Sequence, residues 1–166
     1  RYARTNIQFQ QYWPLSRKWT LAFNSDLGWG QGLEGRPYPL FKNFYVGGQG
    51  SVRGFQTSSL GPKTFDSNNA QIYVGGAKKV VFNTELLAPL PGSGADRTLR
   101  LVTFLDVGAA FAENQNVDLQ QLRAGAGFGI SWISPLGPLK LTYAQPIRKL
   151  SEDRIQRLQF QIGTSF

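Results

Sequence analysis

The chain has 166 residues, a formal net charge of +8, 19 glycines and 13% aromatic residues, but it contains neither cysteine nor histidine. This composition favours one domain built mainly from sheet, and it excludes disulfides, thiolate metal sites and mechanisms that need a histidine base. The cations are spread along the chain and form no single block, which favours anionic lipid head groups over nucleic acid as the partner.

The first residue is Arg1, and the chain contains no methionine. Because a start methionine is missing, we expect the chain to be part of a longer or processed product. No stretch reaches the roughly 20 apolar residues of a membrane-spanning helix, but membrane-spanning strands remain possible.

Seven segments with alternating apolar and polar residues are predicted to be β-strands. Their predicted ranges are 2–12, 17–30, 78–88, 97–111, 122–133, 138–146 and 154–166. The fifth shows the pattern most clearly, because Ala126, Phe128 and Ile130 share one face while Gly127 and Gly129 share the other. Such lengths suit the roughly 9 to 11 residues with which a tilted strand crosses a bilayer.

The connections between these segments alternate between short and long. Short turns are predicted near residues 13–16, 88–95 and 134–138, and longer links at 31–77, 112–121 and 145–153. Outer-membrane barrels are built in this way, with aromatic residues near the strand ends. The predicted fold is an all-β, antiparallel transmembrane barrel, and a soluble sheet with a packed aromatic core is the alternative.

An odd number of strands does not close a single-chain bacterial barrel, because open strand edges leave backbone groups unsatisfied in lipid. We therefore expect residues 1–166 to be the C-terminal portion of a larger barrel, with further strands upstream of Arg1.

Three stretches of the sequence carry a family resemblance: VRGF at 52–55, SPLGPLKLTYAQP at 134–146 and QRLQFQIGTSF at 156–166. Together they resemble the BamA-like family of barrel-assembly proteins of the Gram-negative outer membrane. VRGF is shared with two-partner-secretion transporters, whereas the TSSLGPK extension and the SPLGP turn are more specific to this family. The resemblance implies a 16-stranded barrel in the bacterial outer membrane, of which this chain supplies about seven strands.

The resemblance also implies that the long loop 31–77 folds into the barrel lumen and that its arginine pairs with acidic residues of neighbouring strands. Motif matching assigns these partners to Glu85 in FNTELLAPLP and Asp106 in FLDVGAAF. Strand alternation places both carboxylates on the inner face, opposite apolar residues. We expect a cluster of Arg53, Glu85 and Asp106, because a guanidinium can serve two carboxylates at once. The alternative is a solvated loop arginine and two unrelated lumen acids.

Other residues of the VRGF region are expected to shape the loop. Glycine adopts a positive φ without steric penalty, and this role is predicted for Gly47, Gly48, Gly50 and Gly54. Val52 and Phe55 are predicted to pack the loop tip against the lumen wall.

The last predicted strand places apolar residues on one face: Leu158, Phe160, Ile162 and Phe166. This pattern resembles the C-terminal β-signal of outer-membrane proteins. The family resemblance implies that the strand meets the first barrel strand in a weak lateral seam, where a nascent strand can pair by β-augmentation.

The predicted function is non-enzymatic folding and insertion of β-barrel proteins into the outer membrane. No cofactor, metal or catalytic residue is expected. The expected partners are outer-membrane lipids and lipopolysaccharide, nascent barrel proteins and, mainly through upstream domains, accessory assembly lipoproteins; nucleic acid is not expected. The main alternative is a two-partner-secretion-type polypeptide transporter, which an upstream plug helix would favour. A hydrolase that uses Glu85 or Asp106, and a passive porin, are further alternatives.

Overall fold

The computed structural model of the protein describes residues 1–94 and 98–163. In chain order the described strands are β1 (Tyr2–Pro14), β2 (Thr20–Gly32), β3 (Gly54–Phe55), β4 (Lys63–Phe65), β5 (Gln71–Tyr73), β6 (Lys78–Pro89), β7 (Leu99–Phe111), β8 (Arg123–Ser134), β9 (Gly137–Arg148), β10 (Ile155–Gln156) and β11 (Leu158–Ile162). Two short 3-10 turns cover Leu40–Lys42 and Leu119–Gln121. None of the described segments is a helix long and apolar enough to span a membrane.

Seven strands form one sheet in the order β1-β2-β6-β7-β8-β9-β11. Every neighbouring pair is antiparallel. The all-β antiparallel fold predicted from the alternation of residues is therefore confirmed. Strands β1 and β11 lie at the two edges of this sheet, and the loop between β2 and β6 covers its inner face.

The outer face of the sheet is apolar and exposed. Phe9, Phe128, Leu141 and Phe160 are between 45% and 59% exposed, and the register places Leu141 directly opposite Phe160. A continuous apolar face of this kind is unfavourable in water but suits contact with lipid. The inner face carries the glycines and polar residues that leave room for the loop.

The core lies between the loop and the inner face of the sheet. Its main buried cluster consists of Val46, Val52, Phe55, Leu60, Val81 and Ala110. The first four belong to the loop, and the last two belong to β6 and β7. Apolar burial therefore holds the loop against the strands, independently of any ion pair.

The region 31–77, predicted to be one loop, contains the short strands β3, β4 and β5. Strands β4 and β5 pair with each other as a small hairpin. An Asp66 turn closes this hairpin, since its carboxylate accepts hydrogen bonds from the N–H groups of Asn68 and Ala70 at 2.8 Å. The local turn chemistry of Asp66 and Asn69, whose φ is +59°, explains the extra secondary structure.

Some predicted strand ends differ from those in the structure. The turn expected at residues 13–16 lies at 15–19, because the N–H groups of Leu15 and Ser16 both donate to the carbonyl of Trp19. As a result, β1 extends to Pro14 and β2 begins at Thr20. Strand β9 continues to Arg148, past the predicted end at 146, because a bulge at Ile147 of β9 absorbs the shift in register with Ala124 and Gly125 of β8.

The predicted strand 154–166 is divided at Arg157. Strand β10 pairs with β3 of the loop, whereas β11 pairs with β9 of the sheet. The interruption allows one short segment to serve two different partners. Residues 164–166, with Phe166, and Arg97 at the start of another predicted strand lie outside the described residues.

Candidate functional site

Arg53 lies at the loop tip, is 5% exposed and contacts two carboxylates. Its Nε and Nη2 donate to the two carboxylate oxygens of Asp106 at 2.6 and 2.7 Å. Its Nη1 lies 2.7 Å from Oε1 of Glu85. The structure therefore brings together the three residues that the sequence grouped, with a two-pronged contact to one acid and a single contact to the other. A lysine could not reproduce this arrangement, because its ammonium lacks the planar fork.

Asp106 is fully buried, and its oxygens are well supplied with donors. Besides the guanidinium, it accepts the backbone N–H of Arg53 at 3.1 Å and Nδ2 of Asn83 at 2.9 Å. Asn83 also donates to the carbonyl of Ser51 at 2.5 Å. Asp106 and Asn83 face each other across β6 and β7. This network fixes the loop backbone on both sides of Val52 to the same two strands.

Phe104 completes the surroundings of the arginine. The guanidinium carbon of Arg53 lies 3.6 Å from the centroid of the Phe104 ring, a distance suited to a cation–π contact. The register places Phe104 directly opposite Glu85. One face of the guanidinium is thus covered by an aromatic ring while its edge is bound by carboxylates, and water is largely excluded.

Three of the four loop glycines precede the arginine, and Gly54 follows it; all four have positive φ. The values are +120° for Gly47, +87° for Gly48, +80° for Gly50 and +96° for Gly54. Ser51 Oγ accepts the N–H of Gly47 at 2.6 Å, and the Val52 carbonyl accepts that of Gly48 at 2.9 Å. The backbone therefore makes a compact reversal that side chains at these positions would strain.

Gly125 of β8 permits a close approach of the loop tip to the sheet. A Cβ added at Gly125 would lie 2.1 Å from the carbonyl oxygen of Arg53. Only glycine leaves space for the loop backbone at that point. Among the alternate glycines of β8, Gly125 thus receives the loop tip, whereas Cβ atoms added at Gly127 and Gly129 would meet β9.

Val52 and Phe55 are completely buried in the main cluster. The terminal-strand residues Leu158, Phe160 and Ile162 lie on the outer face and are 61%, 59% and 67% exposed. They are separated from the arginine cluster by the thickness of the sheet, so the predicted site residues form two groups. Phe166 belongs to the part of the chain that the structure does not describe.

Four residues that hold the loop in place had no role assigned to them from the sequence. They are Gln49, Asn83, Phe104 and Gln159. Strand alternation could have indicated Asn83 and Phe104, because they share the inner face with Glu85 and Asp106. Gln49 and Gln159 gave no local signal, because their partners lie far away in the chain. Within the described residues, no group of three or more acidic side chains is arranged to hold a metal.

Comparisons with known proteins agree with this architecture. The BamA outer membrane protein assembly factor of Neisseria meningitidis serogroup B is 39% identical over 190 aligned residues, which cover 99% of this chain and 24% of that protein. A SAM50-like protein of Schizosaccharomyces pombe is 27% identical over 91% of this chain and 32% of its own length. The chain thus spans about a quarter to a third of these relatives.

A solved structure supports the same assignment. The crystal structure of Haemophilus ducreyi BamA lacking POTRA domains 1–3 matches with a TM-score of 0.85 and 30% identity, covering 96% of this chain and 34% of that one. The resemblance to BamA inferred from the three sequence stretches is therefore confirmed, as is the outer-membrane location. The Omp85 superfamily domain matches residues 1–166, and the chain belongs to the Omp85 superfamily.

Proposed function

We propose that this chain forms part of the barrel of an outer-membrane protein assembly factor, which promotes the folding and insertion of other β-barrel proteins without a chemical reaction. The observation that carries the proposal is the buried contact of Arg53 with Glu85 and Asp106. It fixes a long loop inside a barrel of the type found in the BamA relative. A passive pore with a lumen filled in this way would conduct poorly.

The edge strand β11 supplies the surface at which a client would pair. Its apolar residues face outward, and in the described part of the chain it pairs with β9 on one side. Unpaired backbone groups cost several kcal/mol each in lipid, so a client strand needs a hydrogen-bonding template during insertion. A seam at β11 offers that template by β-augmentation. Folding of the client supplies the free energy.

The proposed partners are nascent outer-membrane barrel proteins, the surrounding lipids with lipopolysaccharide, and accessory assembly lipoproteins that bind mainly through upstream domains. The apolar outer face suits the lipid, and the net charge of +8 suits anionic head groups. Transport of the two-partner-secretion type is less well supported, because the Neisseria meningitidis relative is an outer membrane protein assembly factor.

Reconstitution tests the proposal. The full-length protein containing this chain would be placed in liposomes with its accessory subunits, and the insertion rate of a client barrel would be measured. We expect Arg53→Ala to lower the rate strongly, and Arg53→Lys to lower it as well, because lysine cannot bind both carboxylates. Arg36→Ala is the matched control, since Arg36 is an exposed arginine of the same loop. Full activity of the Arg53→Ala protein would refute the role of the cluster.

A further inference from the structure

The loop tip that carries Arg53 also pairs with the segment leading into the terminal strand. Strand β3 (Gly54–Phe55) is antiparallel to β10 (Ile155–Gln156), with Phe55 opposite Ile155. The N–H of Gln56 donates to the carbonyl of Arg154 at 2.9 Å. Ile155 also packs against the buried cluster of the loop. The residues next to the arginine cluster are thus bound to the start of the last strand.

Gln159 strengthens this connection from within β11. Its side chain is on the inner face, and the residue is 4% exposed. Its Nε2 donates to the carbonyl of Phe55 at 2.7 Å. On the loop side, Gln49 donates to Oγ1 of Thr142 at 2.7 Å, with the carbonyl of Gln159 at 3.5 Å. Side chains from both the loop and the strand therefore cross the same gap.

The contacts of β11 change after Gln159. Phe160, Gln161 and Ile162 pair with β9, and the side chain of Gln161 donates locally to the carbonyl of Gly163 at 3.4 Å. The first part of the terminal segment is therefore held by both the sheet and the loop, whereas the described residues after Gln159 rely on the sheet pairing.

We propose that Gln159 is a positioning residue that couples the lumen loop to the terminal strand, so that the loop tip, residues 54–56, and residues 154–159 are ordered or released together. The seam as a client-binding edge rests on the function proposed above, but the coupling itself is a property of the barrel. By linkage, anything that releases the Arg53 cluster loosens residues 154–159, and the reverse also holds.

The chemistry of Gln159 allows a clean substitution. Its Oε1 is buried and has no hydrogen-bond partner among residues 1–94 and 98–163, so within that part of the chain the hydrogen bond of this amide comes from its Nε2 donor. Methionine has a similar length and volume but no donor. Gln159→Met therefore removes the contact with Phe55 and preserves packing. Gln161→Met is the matched control, because Gln161 has the same residue type, strand and inner face.

The test is amide hydrogen exchange of the full-length protein in lipid nanodiscs, without clients. We expect Gln159→Met to raise exchange in the loop tip, residues 54–56, on the order of fivefold, and Gln161→Met to leave it unchanged. Reciprocally, Arg53→Ala should raise exchange at residues 154–159, while Arg36→Ala should not.

Two results would overturn the inference. One is faster exchange confined to residues near position 159 in the Gln159→Met protein, with the loop tip unaffected. The other is unchanged exchange at residues 154–159 in the Arg53→Ala protein. Because no client is present, failure of this coupling is distinguishable from failure of the proposed assembly function, which only the insertion assay measures.

Discussion

Arg53 is held by several groups that compensate for its removal from water. Two carboxylates, one aromatic ring and the network around Asn83 surround it. Burial of ionic groups is costly, and a well-packed apolar replacement is often as stable as a buried ion pair. The cluster is therefore best understood as a device that selects one position of the loop, because a misplaced loop would leave these charges unpaired.

The two acids should differ in their contribution to stability. Asp106 is fully buried and makes the two-pronged contact, whereas the side chain of Glu85 is 23% exposed. We expect Asp106→Asn to lower the free energy of unfolding by about 3 kcal/mol, as for a buried pair that loses one partner, and Glu85→Gln to lower it by less. Urea titration in micelles would measure both. Glu34→Gln is the control, because Glu34 belongs to an exposed ion pair with Arg1. Equal losses of unfolding free energy in the Asp106→Asn and Glu85→Gln proteins would contradict this ranking.

Gly125 should be intolerant of any side chain because of the carbonyl of Arg53. We expect Gly125→Ala to displace the loop tip and to increase protease cleavage within residues 45–60, since the added Cβ would lie 2.1 Å from that oxygen. Gly92→Ala is the comparison, because its surroundings are open and only its φ of +85° disfavours alanine. Equal protease resistance of the Gly125→Ala and unsubstituted proteins would show that the loop does not pack there.

At the level of elements, the connections opposite the short turns are tied to one another as well as to the sheet. Arg123 at the start of β8 binds Asp153 with two hydrogen bonds of 3.1 Å. Glu113, between β7 and β8, accepts the N–H groups of Gly32 at 2.6 Å and Tyr38 at 2.9 Å. The loop after β2 is thus anchored at its start by Glu113 and at its tip by Arg53.

The Glu113 contact should depend on pH. The donated N–H groups of Tyr38 and Gly32 hold the pKa of the Glu113 carboxyl below its ordinary value. Because the pKa is depressed in the folded protein, the contact stabilises the fold fully at pH values above the ordinary pKa of about 4.3. This stabilisation is lost as the pH falls through the lower pKa of the folded state. The amide proton shift of Gly32 should therefore titrate with a midpoint below about 4.3, and Glu113→Gln should abolish the titration. A midpoint at or above the ordinary value would contradict the contact.

For the whole molecule, the sheet has an apolar outer face and two strand edges. Ile7, Phe9, Phe160 and Ile162 are all more than half exposed at or near those edges. Such edges are templates for pairing with other chains. The fold is therefore suited to a membrane and to completion by further strands, and it is poorly suited to water.

This arrangement predicts how residues 1–166 behave when produced alone. We expect the chain to self-associate or aggregate in buffer without detergent, since both the outer face and the edges would seek partners. Sedimentation velocity with and without detergent would measure the size distribution. A water-soluble, monodisperse monomer would contradict the assignment of the apolar face to lipid.

The sequence by itself determined the fold class and the face of the strand on which each side chain lies, because an alternation of period two fixes which side chains share a side. That alternation placed Glu85 and Asp106 on the inner face, and the resemblance carried by VRGF related them to Arg53. The alternation is a local property, so it could be read without knowing which strands are neighbours.

Only the tertiary structure decided which distant groups meet. The pairing of β3 with β10 and the hydrogen bond between Gln159 and Phe55 join residues about a hundred positions apart. The last strand is divided at Arg157 because its two parts pair with different elements. The turn shifted to residues 15–19 and the hairpin inside the long loop also depended on hydrogen bonds that composition does not specify. Alternation assigns a residue to a face, whereas contact across the lumen depends on how the loop folds, and that is set by packing and register over the whole sheet.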